Sequence, residues 1–333
     1  MKILNISLGL EKIYTTKSQN KSVKTTYISP TLSTDSVSFS GQIDSLKNIY
    51  RVGNKYKNKI QIIFADIDGT ISPKNDIVSE KTIESLEYLH EKGIPVILTT
   101  ARCYRDTVPI LDKMKYCADY VITLQGGEIV DKAGILITRN SIPHKTVTSL
   151  NNWYHSLKIK DDNIHLIIYI DNQPYATSNI DFPWKAATNV KQINTFDEII
   201  SKGNRIQKAI LYKPNEQKGS DAADKIIRSF ITSGINDLNL SISGTGFYEF
   251  QNKGVTKDKA IDLLLKKLNI MPNRVMVIGD SSNDIEMFDY ISQRGGLAVA
   301  MGNATVETKN HSMAITSLIE NDGFSKAISA IFD

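Results

Sequence analysis

The chain of 333 residues is 41% hydrophobic and 23% charged, with a net charge of +4 at pH 7; such figures are ordinary for globular proteins, and the length fits two domains of roughly 100–200 residues each. No run approaches the roughly 18 apolar residues of a membrane span, and the opening MKILNISLGLEKIYTTK has no sustained apolar stretch, which argues against a membrane partner and leaves a cytoplasmic protein as the expectation. Cys103 and Cys117 stand in no CxxC or Cys/His spacing, in keeping with a reducing compartment.

Residues 1–58 carry nine Lys or Arg against three Asp or Glu and are crowded with Ser, Thr, Asn and Lys. Without sustained apolar periodicity, this segment is expected to be a disordered or loosely packed N-terminal extension. A transit peptide would share its acid-poor, Ser-rich character, but Arg51 is the only arginine in it. The rest of the chain is near neutral, with 31 basic and 33 acidic residues and no basic patch interleaved with aromatics, so nucleic acid is not an expected partner.

From residue 59 short runs rich in Ile and Val alternate with amphipathic stretches. IQIIFAD (60–66) reads as a buried strand, SEKTIESLEYLHEKG (79–93) as a helix with Ser79 as N-cap and Gly93 as its stop, and IPVILTT (94–100) as a second strand. A further helix leads to DYVITL (119–124), and GGEIVDKAGILIT turns as a hairpin near Ala133 and Gly134. Then the texture changes: a helix over 145–157, a strand pair in NIHLIIYIDNQPYATS, a helix from about 196, a strand over 206–213, a helix over 219–234, and the strands LNLSIS and FYEFQN. The alternation resumes with the helix in KGVTKDKAIDLLLKKLNI, the strand RVMVIGD (274–280), another helix, GLAVAM (296–301) and a last helix. This order predicts an α/β fold: a doubly wound, mostly parallel sheet built from residues 59–138 and 253–333, interrupted by an α+β module over 139–252.

Asp66 and Asp68 follow the first strand in FADIDGTIS. In extended backbone, residues two apart share a face, so both carboxylates leave the carboxyl end of the strand together unless the turn starts early, and open α/β sheets bind ligands at that end. Two such carboxylates repel unless a cation sits between them, and oxygen ligands suit Mg²⁺. Gly69 permits a sharp turn, and Thr70 offers a hydroxyl to the turn or to a neighbouring carboxylate. Taken alone, the string also fits a plain Asp-Gly turn after a buried strand. Three further segments end at the same sheet edge or approach it: VILTTAR with Thr99, Thr100 and Arg102, VIGDSSND with Asp280, Asn283 and Asp284, and Lys257 near the start of a helix. A hydroxyl with the next backbone N–H holds a phosphate oxygen well at a helix N-terminus; a lysine there can neutralise phosphate and aspartate together, although a lone lysine in that place is ordinarily a solvated one.

Taken together these segments resemble the haloacid dehalogenase superfamily. D66-I-D-G-T70 matches its first motif, Thr100 in TTAR the second, Lys257 in KGVTKDKA the third, and G279-D-S-S-N-D284 the fourth. Between Asp66 and Thr100 lie too few residues for a cap, whereas the long stretch between Thr100 and Lys257 marks the type IIB, Cof-like branch, whose ending VAMGNA (299–304) and ENDGFSKAI (320–328) also resemble. The resemblance implies an inserted α+β cap domain, with Asp66 as nucleophile and Mg²⁺ ligand, Asp68 as general acid/base with its carbonyl on the metal, and Asp280 as a further ligand. It implies that Thr100, Lys257 and Asn283 hold the transferring phosphoryl group with the backbone at Ile67 and Ala101, while Asp284 orients Lys257 or a metal-bound water. Two departures stand out: TTAR replaces the usual TGR, with Thr99 leaving a one-residue ambiguity, and LQGGE (124–128) replaces an Asn-Gly pair.

Five His fall in no metal-binding spacing, and SGTGF (243–247) runs from strand to strand instead of opening a helix, unlike a dinucleotide fingerprint. Trp153 and Trp184 lie in the expected cap, Trp153 read as packing and Trp184, in DFPWKAA, as a substrate contact; specificity is expected from WKAA and the loop near Asp171 and Asn172. The sequence therefore predicts a Mg²⁺-dependent phosphatase of small phosphorylated metabolites, sugar phosphates favoured. A phosphomutase on the same scaffold and a noncatalytic metabolite-binding protein are the alternatives.

Overall fold

The computed structural model describes residues 2–3, 47–73, 76–114, 119–178, 190–201, 205–216, 220–244 and 246–333. In chain order the first elements are β1 (Lys2–Ile3), α1 (Ile49–Gly53), β2 (Ile62–Ala65), α2 (Glu80–Glu91), β3 (Val96–Thr99), α3 (Tyr104–Leu111), β4 (Tyr120–Thr123), β5 (Glu128–Asp131) and β6 (Leu136–Arg139). The insertion follows with α4 (His144–Lys158), β7 (His165–Ile170), β8 (Gln173–Ala176), β9 (Lys191–Gln192), α5 (Asp197–Ser201), β10 (Ile206–Tyr212), α6 (Asp221–Thr232), β11 (Leu238–Gly244) and β12 (Phe247–Asn252). The last part holds α7 (Lys257–Leu268), β13 (Val275–Gly279), α8 (Ile285–Ser292), β14 (Leu297–Ala300), α9 (Val306–His311), β15 (Ala314–Ile315) and α10 (Gly323–Phe332).

Among the described residues, eight strands form one sheet in the order β15-β14-β13-β2-β3-β4-β5-β6. The pairs from β15 to β4 are parallel, and β5 and β6 add an antiparallel edge. β2 reads IIFA because it is covered on both faces: Ile63 and Ala65 face a core with α2, α3 and α10, whereas Ile62 and Phe64 face α7 and α8. This is the expected doubly wound arrangement, and it sets β13, β2 and β3 side by side. Helix α2 starts as the sequence predicts, with the Ser79 hydroxyl accepting the Thr82 N–H, and Gly93 follows it at φ +69°.

Among the described residues, six strands of the insertion together with β1 form a second sheet in the order β1-β11-β12-β10-β7-β8-β9, antiparallel except for β8–β9. One of its faces is covered by α4, α5 and α6, where Trp153 packs edge-on against Phe230 and Phe250 and donates to Ser229 Oγ at 3.0 Å. Its other face turns Ile167, Tyr169, Ile210 and Tyr212 toward Cys103 and Leu124, which follow β3 and β4. The cap therefore sits over strand ends of the first sheet. Trp184, the WKAA segment and Cys117 lie outside the described residues. No helix among the described residues is long and apolar enough to cross a membrane.

The expected loose packing of residues 1–58 does not extend to residue 58. The side chain of Asn48 accepts the Tyr50 N–H to start α1, Ile49 is 2% exposed, and a Cβ on Gly53 would lie 2.2 Å from the Ala330 carbonyl of α10. Lys47 donates to the carbonyls of Lys309, Asn310 and Ser312 at 2.6–2.9 Å, at the end of α9. A five-residue helix shows no periodicity to read, which is why only its packing reveals it. Ile49→Ala should cost about 2–5 kcal/mol, as for other buried isoleucines; urea unfolding measures this, and an unchanged midpoint would mean the segment is not docked.

Candidate active site

The strand order brings the carboxyl ends of β13, β2 and β3 together, and with them Asp280, Asp66 and Thr100. Asp66 is 4% exposed and still held in the sheet, its N–H donating to the Ile278 carbonyl at 3.0 Å. The chain then turns at once: the Ile67 carbonyl accepts the N–H groups of Thr70, Ile71 and Ser72 at 3.0–3.2 Å, and Gly69 lies at φ +89°. A Cβ on Gly69 would meet Asp280 Oδ2 at 2.3 Å, so the left-handed backbone and the carboxylate beside it both require glycine. The Thr70 hydroxyl, expected to serve the turn or a carboxylate, is buried with no hydrogen-bond partner among the described residues.

Because the turn begins at Ile67, the two motif-one carboxylates part company. Asp68 turns to Arg102, which donates from Nε to Oδ2 at 2.9 Å and from Nη2 to Oδ1 at 2.5 Å. The same guanidinium reaches Asp76 Oδ1 at 2.7 Å and the Asp106 carbonyl at 3.3 Å. Burial works against its charge, but Asp68 and Asp76 outweigh that and hold Arg102 above its ordinary range. Bidentate guanidinium–carboxylate pairing of this kind fixes orientation as well as charge.

Asp66 instead faces Lys257, the first residue of α7. The Lys257 ammonium is 2.5 Å from Asp66 Oδ1 and 2.6 Å from Asp284 Oδ1, and the residue is 1% exposed. Burial alone would favour the neutral amine, but Asp284 and Asp66 hold its pKa above the ordinary lysine value. Burial likewise pushes the Asp66 carboxyl well up, with Lys257 opposing and Asp284 and Asp280 adding to the shift. Asp284 is fully buried and uses its other oxygen, Oδ2, to accept the N–H groups of Asp280 and Ser281, each at 3.0 Å. It braces the fourth motif from inside while tethering Lys257.

The remaining positions fall nearby. Thr100 Oγ1 accepts the Arg102 N–H at 3.1 Å just past the end of β3, while Thr99, one residue earlier and inside the strand, has a buried hydroxyl with no hydrogen-bond partner among the described residues. Ile67 is buried and Ala101 half-buried at the ends of their strands. Asn283 is 7% exposed and accepts from Ser281 Oγ at 2.5 Å. Two residues without a role in the motifs also belong to the site. Arg102 was placed at the sheet edge but not paired with Asp68, and Asn303, in VAMGNA, donates to the Gly69 carbonyl at 2.8 Å and to Asp280 Oδ2 at 3.4 Å. Gln125, in LQGGE, has φ +56° and is buried, and a Cβ on Gly126 would lie 2.3 Å from the Thr256 carbonyl, so this segment packs against the start of α7.

Oxygens of Asp66, Asp280 and Asp284 all lie within 4.8 Å of one another. Hard oxygen donors with mutual repulsion fit a divalent cation. Since both Asp284 oxygens are already engaged, Asp66 and Asp280 are the carboxylates best suited to touch it. A buried, oriented carboxylate beside an ammonium, with a second carboxylate held close by, is the equipment for nucleophilic attack assisted by proton transfer.

The family model described as haloacid dehalogenase-like hydrolase matches residues 63–328. The chain belongs to this family. Within it, the sheet inserted between Thr100 and Lys257 stands where the Cof-like, type IIB branch carries its cap. Among curated relatives, the 5-amino-6-(5-phospho-D-ribitylamino)uracil phosphatase YcsE of Bacillus subtilis is 26% identical over 272 residues, which cover 81% of this chain and 94% of that protein. Among solved structures, a haloacid dehalogenase-like hydrolase of Bacteroides thetaiotaomicron shares the fold at 24% identity with a TM-score of 0.69, covering 82% of this chain and all of that one. A subclass IIB sugar phosphatase of the superfamily shares it at 23% identity with a TM-score of 0.65, covering 81% and 98%.

Removing the Lys257 ammonium leaves two buried carboxylates facing each other. Lys257→Met should therefore destabilise the metal-free hydrolase by about 3–5 kcal/mol, the usual cost of stranding a buried charge. Urea unfolding in the presence of a chelator tests this, and wild-type stability would show that the ion pair carries no such charge.

Proposed function

We propose that the chain is a Mg²⁺-dependent phosphatase of small phosphorylated metabolites, with sugar phosphates foremost, acting through an aspartyl-phosphate on Asp66. The observation that carries this reading is the placement of Asp66: buried at the end of β2, 2.5 Å from the Lys257 ammonium, beside Asp280, with Asp68 gripped separately by Arg102. The phosphatase names of YcsE and of the subclass IIB structure support the reaction class, and the second of these names supports a sugar phosphate as substrate. Cytoplasmic location belongs to the same reading and suits the free, buried Cys103, whose thiol burial pushes up to about 12.

In the first step an Asp66 oxygen attacks phosphorus and the bond from phosphorus to the ester oxygen breaks. Its electron pair stays on that oxygen, which takes a proton from Asp68. In the second, water attacks phosphorus, gives a proton to Asp68, and the phosphorus–Asp66 bond breaks with its pair returning to the carboxylate; inorganic phosphate is the product. The two halves ask opposite things of Asp68. Arg102 orients the Asp68 carboxyl through two hydrogen bonds, and Asp76, 2.7 Å from Arg102 Nη1, gives the guanidinium another partner while Asp68 carries the proton. Lys257, Thr100, Asn283 and the backbone at Ile67 and Ala101 steady the phosphoryl oxygens, and Asp284 keeps Lys257 in place. Asp66, Asp280 and the Asp68 carbonyl would hold the Mg²⁺, which supplies charge neutralisation for those oxygens.

Asp66→Asn should abolish release of inorganic phosphate from p-nitrophenyl phosphate while leaving the unfolding midpoint close to wild type. A chelator should silence the wild-type enzyme and added Mg²⁺ restore it. Turnover by Asp66→Asn would rule out this residue as nucleophile, and an isomeric phosphate ester in place of free phosphate would mark a mutase.

A further inference from the structure

Helix α3 begins directly after the TTAR loop, and its own N-cap residue, Cys103, makes no side-chain capping bond. The acceptor comes from the other sheet. Asn172, at the tip of the β7–β8 hairpin of the cap, accepts the Tyr104 N–H on Oδ1 at 3.2 Å. An asparagine oxygen on a first-turn N–H is what an N-cap provides from within its own helix; here it is delivered across the gap between two sheets. The capped turn is also part of the site, since the Asp106 carbonyl in it accepts from Arg102 at 3.3 Å and Arg102 grips Asp68.

The hairpin tip is built to present this oxygen. Asp171 and Asn172 both adopt left-handed backbone, at φ +48° and +63°, where Asn and Asp are tolerated better than other side chains. The Asn172 N–H donates to Gln207 Oε1 at 2.9 Å, and the Gln207 amide in turn donates to Glu128, which is fully buried on β5. Arg139, the last residue of β6 before the chain enters the cap, joins Glu128 to Asp171. Thus the tip is fastened to the first sheet through a buried carboxylate while its asparagine finishes α3.

We propose that Asn172 is a positioning residue of the hydrolase: by capping α3 only when the cap hairpin is seated, it sets the segment from Thr100 to Asp106, and with it Arg102 and the phosphoryl-binding loop, in working order. This rests on the phosphatase reading, and it gives the Asp171–Asn172 turn a role other than contact with substrate.

The test uses the full chain with three substitutions. N172A removes the acceptor; N172G removes it too but fits the left-handed backbone, which separates the lost bond from strain; N172D keeps an acceptor oxygen. Two readouts are taken with Mg²⁺ present: amide hydrogen exchange at Tyr104, and kcat and KM per folded enzyme for p-nitrophenyl phosphate. Exchange at Tyr104 should quicken about five-fold in N172A and N172G, the equivalent of a typical lost cap, and stay near wild type in N172D. In the first two kcat should fall about ten-fold or more, as for other small displacements of a catalytic loop, with KM changing less, and N172D should recover most of the rate. Unchanged exchange in N172G overturns the capping bond. Faster exchange with wild-type kcat overturns the positioning role, as does an N172D rate as low as that of N172A. An inactive wild type would instead count against the phosphatase reading, and the exchange result would still decide whether the cap supplies the N-cap.

Discussion

Asp66, Asp280 and Asp284 bring three carboxylates within 4.8 Å of one another, at a depth where Asp284 is fully buried and Asp66 nearly so. Like charges packed so closely in a poor solvent for ions would drive one another to the neutral form or apart. The buried ammonium of Lys257 holds two of them, backbone N–H groups satisfy the far side of Asp284, and a divalent cation suits what is left. Much else in the fold serves this arrangement: the parallel order that makes β13 and β2 neighbours, the helix that starts at Lys257, and a glycine where any side chain would strike Asp280.

The partners in that arrangement come from three separate stretches of chain, 191 residues separating Asp66 from Lys257 and 27 separating Lys257 from Asp284. The four motifs were nevertheless legible, because each ends a strand or opens a helix whose own pattern is strong: Ile and Val runs for β2, β3 and β13, and amphipathic spacing for α7. The doubly wound sheet and the inserted module followed from the same patterns. What could not be read was side-chain direction. Extended backbone through residue 68 would have aimed Asp66 and Asp68 the same way, but the turn at Ile67 sends one to Lys257 and the other to Arg102. Likewise Asn303 lies 234 residues from the Gly69 carbonyl it supports, and nothing local announces that meeting.

Short elements escaped for another reason. α1 has five residues, β9 and β15 two each, too few for a period of 3.6 or 2 to repeat. They exist because neighbours complete them, as Asn48 does for α1 by side chain. The buried chemistry of the cap hinge was hidden similarly. Glu128, Arg139 and Gln207 come from three different strands, yet they meet in one network with the β7–β8 turn.

The anchoring of Lys47 and Asn48 has a consequence for how this protein behaves toward copies of itself. Among the described residues β15 is the last strand on its side of the sheet, and an outermost strand offers a row of unpaired N–H and carbonyl groups to any passing chain. Here the Lys47 carbonyl takes the Ile315 N–H at 2.6 Å and Asn48 bridges Ile315 in parallel, so the segment ahead of α1 closes that margin before another molecule can. A fragment that began after α1 would keep all four motifs and lose this cover of the β15 margin.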